Sequence, residues 1–268
     1  MNSLLSLKKS ITDNGILEGT KIMAFLALQR ILKRPRNKVY SYYSQALNSK
    51  AKIKYTSQMS RGYTLIEIFG FSQYYKSQSG KIKFNLSGDS KVMDIGSFIG
   101  DSSVFFGIQG ATVYSYEPQK AAYELMLENI KLNNFSKSNT FNNPITSDGR
   151  SLNLDINENK ISDSFNIYSK RSDSPIKSLK FSDELNKEKK WNLVKIDIEG
   201  GEWEIIDYLL ENKRDIKKIN GFVIEIHSPF NRKLLDDFVG FLRKEKFEVE
   251  ISVKRELGMI WAKKHMET

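Results

Sequence analysis

The chain has 268 residues, enough for one large α/β domain with an extension, and its 40% hydrophobic and 28% charged composition is typical of a globular protein. It contains no cysteine, which excludes disulfides, thiolate metal sites and a cysteine nucleophile. No apolar run approaches the ~20 residues of a membrane-spanning helix. No secretory cleavage site follows the longest run, 22–28, so the sequence predicts a cytoplasmic protein.

The net charge of +10 is confined to the front segment, residues 1–61. This segment has twelve Lys or Arg residues and two acidic residues, whereas the remainder of the chain is neutral. The asymmetry predicts either an anionic partner, such as a membrane surface, a phosphorylated carrier or nucleic acid, or a basic layer whose charges are solvated. An apolar helical face at 22–32 favours peripheral contact with an anionic membrane over nucleic acid.

The first predicted unit is a basic, mainly helical extension over residues 1–75. Helical spacing of apolar residues predicts a helix at 14–34, which Pro35 ends, and a second helix at 38–49. The segments 63–69 and 81–86 are rich in β-branched and aromatic residues, and we interpret them as short strands or as a docked cover.

Residues 76–268 are predicted to form the main domain, in which strands and helices alternate from residue 91 onward. The alternation predicts a mostly parallel sheet with helices on both faces and an antiparallel last strand. The predicted strands are 91–95, 112–116, 139–142, 191–198, 221–226, 247–253 and 257–263, and the predicted helices are 101–108, 119–132, 202–212 and 231–244.

A glycine turn links the first of these strands to its helix. Gly96 can take the tight turn after the strand, and Gly100 permits close approach of a ligand to the start of the helix. Glu117 ends the next strand about 20 residues downstream, a position from which a carboxylate accepts hydrogen bonds from ribose hydroxyls. The turn and the acid together predict a nucleotide cofactor, and an ordinary strand–turn–helix without a ligand is the alternative.

The details of the turn favour one cofactor. Its G-x-x-x-G pattern lacks the third glycine of the dinucleotide fingerprint. Asp94 lies two residues before Gly96, where its carboxylate would repel a pyrophosphate and attract the ammonium of an amino acid. S-adenosylmethionine carries such an ammonium and has no phosphate, so the motif favours this methyl donor over NAD.

Four motifs together resemble the FkbM family of methyltransferases: DIGSFIGDSS at 94–103, YEP at 116–118, VKIDIEGGEWEII at 194–206 and VIEIH at 223–227. The resemblance implies a Rossmann-like class I methyltransferase fold with a seven-stranded sheet, and O-methylation of hydroxyls on sugars or polyketide-type products. It implies that Asp94, Gly96, Gly100 and Glu117 bind the methyl donor, with Asp197 beside it. The family usually has Ala-Asn where this chain has Ser97-Phe98. The remaining candidate cofactor contacts are Ser97, Phe98, Ser102, Ser103, Pro118, Asn142 and Asn143.

Charged residues at two strand ends are the candidates for the chemistry. Lys195, Asp197 and Glu199 alternate along the fourth predicted strand, so they tend to one side near its carboxyl end. Asp197 is the first candidate, orienting the acceptor hydroxyl or accepting its proton, with Lys195 as its partner. Glu225 and His227 end the fifth predicted strand, where a histidine suits a general base.

Three alternatives remain open at this point. Asp197, Glu225 and His227 have a spacing that permits magnesium or manganese, but nothing in the sequence demands a metal and none is predicted. The basic front segment would suit an RNA or DNA methyltransferase. A non-catalytic scaffold that binds the cofactor or a carrier is the third. The leading prediction is an O-methyltransferase for a saccharide, a glycan, a lipid-linked sugar or a related polyhydroxylated metabolite.

Overall fold

The computed structural model describes residues 37–44, 47–57, 59, 68–69, 73–154, 161, 175–254 and 257–264. The helix predicted at 14–34 lies outside these residues. The strands in chain order are β1 (Lys38–Ser44), β2 (Ser49–Tyr55), β3 (Lys91–Ile95), β4 (Thr112–Tyr116), β5 (Ser138–Phe141), β6 (Ile145–Thr146), β7 (Ser151–Leu152), β8 (Ile176–Lys177), β9 (Leu179–Lys180), β10 (Leu193–Ile196), β11 (Gly221–His227), β12 (Phe247–Lys254) and β13 (Leu257–Lys264). The α-helices are α1 (Asp101–Gly107), α2 (Lys120–Leu132), α3 (Phe181–Leu185), α4 (Glu202–Glu211) and α5 (Arg232–Lys244).

The central sheet has seven strands in the order β12-β13-β11-β10-β3-β4-β5. Every neighbouring pair from β11 to β5 is parallel, whereas β13 runs antiparallel to both of its neighbours. The Rossmann-like order and the antiparallel last strand confirm the predicted fold class. Because β3 lies between β10 and β4, the carboxyl ends of these three strands meet at the middle of one sheet edge, where such sheets bind ligands.

The sheet is buried on both faces because successive side chains of each strand point to opposite sides. On β3, Val92 belongs to a core shared with α1 and α2, and Met93 belongs to a second core shared with α4 and α5. The same division separates Leu193 from Val194 on β10. Two apolar layers therefore hold the strand ends rigidly in register. Among the described residues, no helix has the length and apolar character needed to cross a membrane.

The helix predicted at 38–49 is wrong. Strands β1 and β2 form an antiparallel hairpin, with Lys38 opposite Tyr55 and Ser44 opposite Ser49. The sequence KAKIKY at 50–55 alternates lysines with buried Ala51, Ile53 and Tyr55, a period of two that favours a strand over a helix. The hairpin packs on α2 in the same core as the main domain.

Helix α2 also holds the outer edge of the hairpin through two side-chain amides. The amide of Asn129 accepts a hydrogen bond from the backbone N–H of Lys54 at 2.6 Å and donates one to its carbonyl at 3.3 Å. Asn133, one helical turn later, accepts from the backbone N–H of Lys52 at 2.8 Å and donates to its carbonyl at 2.7 Å. The two amides thereby satisfy backbone groups that an edge strand would otherwise leave unpaired.

The segment 81–86 lies as a cover and not as a regular strand. A single-residue bridge joins Lys83 to Lys76, while Ile82 and Phe84 are buried in the first core. The polar segment 150–180, here called the polar excursion, contains β7 paired to β8, and also β9, which pairs with β6 just ahead of the segment. Neither the cover nor the short strands belong to the seven-stranded sheet.

Candidate active site

The turn after β3 requires glycine at two positions. Gly96 and Gly100 have φ angles of 80° and 79°, in the left-handed region that glycine adopts at no steric cost. A Cβ atom on Gly96 would lie 1.8 Å from the carbonyl oxygen of Asp197, and one on Gly100 would lie 2.6 Å from the Met126 side chain. The turn is therefore pressed against the end of β10 on one side and against α2 on the other.

Glu117, directly after β4, holds the turn from the neighbouring strand. Its carboxylate accepts hydrogen bonds from the backbone N–H groups of Phe98 at 2.9 Å and Gln119 at 2.7 Å. Burial raises the pKa of Glu117 to about 7, although these two backbone donors act in the opposite direction. Phe98 has a positive φ of 48°, so a bulky side chain occupies a backbone conformation that glycine or asparagine adopts more easily.

Asp94, at the end of β3, is enclosed by the protein. One carboxylate oxygen accepts hydrogen bonds from the hydroxyls of Ser102 and Ser103, both at 2.7 Å. The other oxygen lies 3.4 Å from the ammonium of Lys195, which is opposite Asp94 in the parallel pairing of β3 and β10. The side chain is 0% exposed, so Asp94 ties the turn and α1 to β10. Ser97 contributes a further bond, from its hydroxyl to the Asp94 carbonyl at 2.8 Å.

The predicted asparagines lie at different distances from this turn. Asn142 follows β5, and its amide donates hydrogen bonds to the carbonyls of Glu117 at 2.8 Å and Pro118 at 3.2 Å. Asn142 therefore fixes the backbone that carries the Glu117 carboxylate. Asn143 donates instead to the carbonyl of Lys177 at 3.0 Å, which joins it to the polar excursion.

Lys195 and Asp197 form a charged pair at the end of β10. The Lys195 ammonium lies 3.5 Å from Asp197 Oδ2 and donates a hydrogen bond to the carbonyl of Gly96 at 2.5 Å. Burial alone would lower the pKa of Lys195, but the carboxylates of Asp197 and Asp94 outweigh it and the pKa is raised. A permanently charged lysine thus links the glycine turn to Asp197, as the alternation of the sequence suggested.

His227, at the end of β11, is paired with a carboxylate at the start of α4. Its Nδ1 lies 2.7 Å from Glu202, a residue that is 0% exposed and accepts the backbone N–H groups of Ile198 and Gly200. Burial alone would lower the pKa of His227, but Glu202 outweighs it and raises the pKa to about 9. His227 is therefore an imidazolium at neutral pH, with Nδ1–H donating to Glu202.

Glu199 and Glu225 complete the charged cluster. His227 Nε2 lies 3.6 Å from a carboxylate oxygen of Glu199 and 4.0 Å from Asp197 Oδ1. Asp197, Glu225 and His227 each present one ligand atom within 4.8 Å of the others, so these three could hold a metal ion. The imidazolium of His227 and the ammonium of Lys195 supply two positive charges beside these carboxylates.

Two residues of the site escaped the sequence analysis. Glu202 begins α4, where local rules assign an acid to the helix dipole, and its pairing with His227 depends on how α4 packs beside β11. Tyr74 donates a hydrogen bond to Asp197 Oδ2 at 3.2 Å from a position 123 residues earlier in the chain. No local sequence pattern indicates a contact between residues this far apart. The aromatic residues near Tyr74 indicate only that this part of the chain packs against the domain.

Comparison with known proteins places this geometry in a family. Residues 94–249 match the Methyltransferase FkbM domain. A SAM-dependent methyltransferase from Agrobacterium tumefaciens superposes with a TM-score of 0.51 at 10% identity, covering 87% of this chain and 72% of that chain. This likeness supports the fold alone.

Two further solved structures are more distant. A precorrin-6y C5,15-methyltransferase from Geobacter metallireducens GS-15 has a TM-score of 0.41 and 13% identity over 68% of this chain and 83% of its own. An rRNA methylase from Streptococcus thermophilus has a TM-score of 0.42 and 11% identity over 68% of this chain and 90% of its own. No curated protein matches the chain. The family match spans more than half of the sequence, and the chain therefore belongs to the FkbM family of S-adenosylmethionine-dependent methyltransferases.

Proposed function

We propose that the enzyme methylates a hydroxyl of a saccharide, a glycan or a related polyhydroxylated metabolite. In this proposal the methyl donor binds at the donor edge, formed by the turn 94–100 and Glu117. The acceptor binds at the acceptor edge, formed by Asp197, Glu225 and His227 at the ends of β10 and β11. When bound, S-adenosylmethionine supplies an electrophilic methyl group, and every other role falls to residues of this chain.

The donor edge suits a phosphate-free adenosyl group. Each oxygen of an ionised Glu117 carboxylate accepts one backbone hydrogen bond and has a second lone pair. These second lone pairs can accept hydrogen bonds from ribose hydroxyls. Carboxylates outnumber cationic groups across the two edges, which favours a positively charged sulfonium over a pyrophosphate. The carboxylates are Asp94, Glu117, Asp197, Glu199, Glu202 and Glu225, and the cationic groups are Lys195 and His227. Because Asp94 is fully enclosed, it would support donor binding by holding the turn in place and not by contacting the donor.

Asp197 is the residue that we assign to the proton of the acceptor hydroxyl. Its Oδ2 is held by Tyr74 and Lys195, whereas its Oδ1 faces His227 Nε2 across 4.0 Å. A hydroxyl within hydrogen-bond reach of both atoms could donate its proton to Oδ1 as its oxygen takes the methyl group, and the S–C bond of the donor would break to leave S-adenosylhomocysteine. His227 holds its own proton at neutral pH, so it would stabilise the ionised Asp197 and would not act as the base.

One observation carries the proposal: the Asp197 backbone is in contact with the turn of the donor edge. A Cβ atom on Gly96 would lie 1.8 Å from the Asp197 carbonyl oxygen, so no side chain fits between the two edges at this point. A proton acceptor on β10 would therefore lie beside a ligand seated on the turn. In-line methyl transfer needs this proximity, because the attacking oxygen must be close to the methyl carbon.

Transfer of a labelled methyl group tests the proposal directly. S-adenosylmethionine labelled in its methyl group is incubated with glycans, lipid-linked sugars and total RNA in separate reactions. We expect the label in the sugar fractions, as an ether that resists alkaline hydrolysis. Label in RNA alone would overturn the assignment of the acceptor. Binding of S-adenosylhomocysteine without transfer to any fraction would favour the scaffold alternative.

The basic front segment is the basis for a second element of the proposal, contact with an anionic membrane. On β2, Lys50, Lys52 and Lys54 point away from the buried face, and Lys54 pairs with Glu128. Deleting residues 1–61 would remove buried residues of β2, so substitution of exposed lysines is the better test. We expect the intact chain to float with acidic vesicles at low salt and the Lys50→Glu, Lys52→Glu double variant to float less. Salt-sensitive RNA binding by the intact chain would favour nucleic acid instead.

A further inference from the structure

A segment ahead of the family-matched region reaches the acceptor edge. The match begins at residue 94, and Tyr74 precedes it in the chain, next to the cover. The indole N–H of Trp261 on β13 donates to the Gln73 carbonyl at 2.8 Å, and the Phe84 N–H donates to the Tyr75 carbonyl at 2.8 Å. These bonds fix both neighbours of Tyr74. The Tyr74 side chain is 4% exposed, so its position is set by packing.

Tyr74 and Lys195 share one oxygen of Asp197. The tyrosine hydroxyl donates to Oδ2 at 3.2 Å, and the ammonium lies 3.5 Å from the same atom. The ammonium is also 5.4 Å from the centre of the Tyr74 ring, within the range of a cation–π contact. Tyr74, Lys195 and Asp197 are therefore one connected group, to which the segment ahead of the matched region contributes the tyrosine.

The geometry determines which oxygen of Asp197 is left for an acceptor. A carboxylate can rotate about its terminal bond, and this torsion has broad minima. The hydrogen bond from Tyr74 and the ion pair with Lys195, both at Oδ2, restrict the rotation and keep Oδ1 toward His227 Nε2. Burial and the charge of Asp197 raise the pKa of Tyr74 well above its ordinary value, so the hydroxyl stays a donor over the whole physiological range.

We propose that Tyr74 is a positioning residue for methyl transfer, which orients Asp197 so that Oδ1 meets the acceptor hydroxyl. The inference rests on the proposed function, because it takes Asp197 as the proton acceptor. It also extends the active site beyond the family-matched region, since an element at the front of the chain completes the acceptor edge. Tyr74 touches neither the donor turn nor Glu117 in the hydrogen bonds and ring contacts of the described residues.

The test compares two adjacent tyrosines in the full chain. Tyr74→Phe removes the hydroxyl and keeps the ring, and Tyr75→Phe is the matched control because its hydroxyl bonds to Asn85 at 3.1 Å on an exposed part of the surface. With labelled S-adenosylmethionine and the best acceptor of the sugar panel, Tyr74→Phe should lower kcat about 10-fold, the effect of losing one hydrogen bond to a charged group. KM and the Kd of S-adenosylhomocysteine should stay within about twofold, and Tyr75→Phe should match the wild type.

A double variant shows whether Tyr74 acts through Asp197. Adding Tyr74→Phe to Asp197→Asn should cause no further loss of kcat, because the carboxylate to be oriented is already gone. An independent further loss of about 10-fold, or a Tyr74→Phe variant with wild-type kcat, would overturn the proposal.

A second readout needs no acceptor, so the inference can fail separately from the proposed function. The chain has two histidines, and the ring signals of His227 can be assigned by comparison with a His227→Asn variant. Without the Tyr74 hydroxyl, Asp197 Oδ1 is no longer held toward His227, so the pKa of about 9 should move downward. An unchanged His227 titration in Tyr74→Phe would overturn the inference even if the sugar panel gave no transfer.

Discussion

The donor edge and the acceptor edge are adjacent but are held by different kinds of bond. At the donor edge, backbone N–H groups and a left-handed turn fix the position of Glu117 and Gly96. At the acceptor edge, side-chain pairs such as Lys195 with Asp197 and Glu202 with His227 fix the geometry. The donor edge depends on close backbone contacts that an added side chain would disrupt, whereas the acceptor edge depends on the protonation of its charged groups. The two edges should therefore fail in different ways when they are altered.

The largest expected effect comes from adding a side chain at the contact between the two edges, because it forces them apart. In Gly96→Ala the new Cβ would lie 1.8 Å from the Asp197 carbonyl oxygen, so the turn and the end of β10 must both move. We expect S-adenosylhomocysteine binding to weaken more than about 100-fold, and unfolding free energy to fall by roughly 2–4 kcal/mol. Titration calorimetry and denaturant unfolding measure the two effects.

Gly240→Ala in α5 is the control for this change. A Cβ there meets nothing within 4 Å, and alanine is the better helix former. We expect unchanged binding and a gain of up to about 1 kcal/mol in stability. Equal donor affinity and stability in Gly96→Ala and Gly240→Ala would mean that the turn has room for a side chain. That result would contradict the close contact between Gly96 and the Asp197 carbonyl.

A smaller effect is expected from Glu117→Gln, which removes a charge and keeps the shape. Loss of a charged acceptor should weaken S-adenosylhomocysteine binding about 10-fold at pH 8. Wild-type affinity should also fall as pH drops below about 7, because the raised pKa lets Glu117 take up a proton there. Calorimetry at pH 6, 7 and 8 should show this dependence in the wild type and in a Glu124→Gln control, and lose it in Glu117→Gln.

The acceptor edge should respond to pH through stability. The pKa of His227 is raised from 6.5 to about 9, so its pairing with Glu202 stabilises the fold fully below pH 6.5 and this contribution is lost as pH rises through 9. In His227→Asn we expect a loss of about 1–3 kcal/mol at pH 6 and little difference from the wild type at pH 10. Urea unfolding across this range measures it, and a constant difference would contradict the pairing.

Phe98→Asn should give the smallest effect and concerns the donor edge alone. Asparagine adopts the φ of 48° with less strain than phenylalanine. The Phe98 ring also packs against the first core, which opposes the gain. We expect a net change in unfolding free energy within about 1 kcal/mol. A loss above about 2 kcal/mol would show that packing of the ring is the main role of Phe98.

Much of the donor edge could be predicted from the sequence because its signals are local. The glycines at 96 and 100 and the acid at 117 follow buried strands at short spacings, and the structure places all three around one turn. The seven-stranded sheet was readable for the same reason, since its strands are apolar runs separated by helical patterns.

The parts that the sequence did not reveal depend on contacts between distant segments. The helix expected at 38–49 covers β1 of the hairpin, and the strict alternation that indicates a strand lies beyond that segment, at 50–55 in β2. The edge of the hairpin is held by Asn129 of α2 and by Asn133 directly after that helix, which come much later in the chain. Likewise, the partner of His227 is an acid that local rules assign to helix capping.

The central claim is that binding the donor and transferring its methyl group depend on different edges of one site. Asp197→Asn tests it most directly, with Asp236→Asn on the exposed side of α5 as the control. We predict that Asp197→Asn binds S-adenosylhomocysteine within about threefold of the wild type and loses at least about 100-fold in methyl transfer, the usual contribution of a proton-transfer residue. Transfer at the wild-type rate, or loss of donor binding together with transfer, would contradict the account.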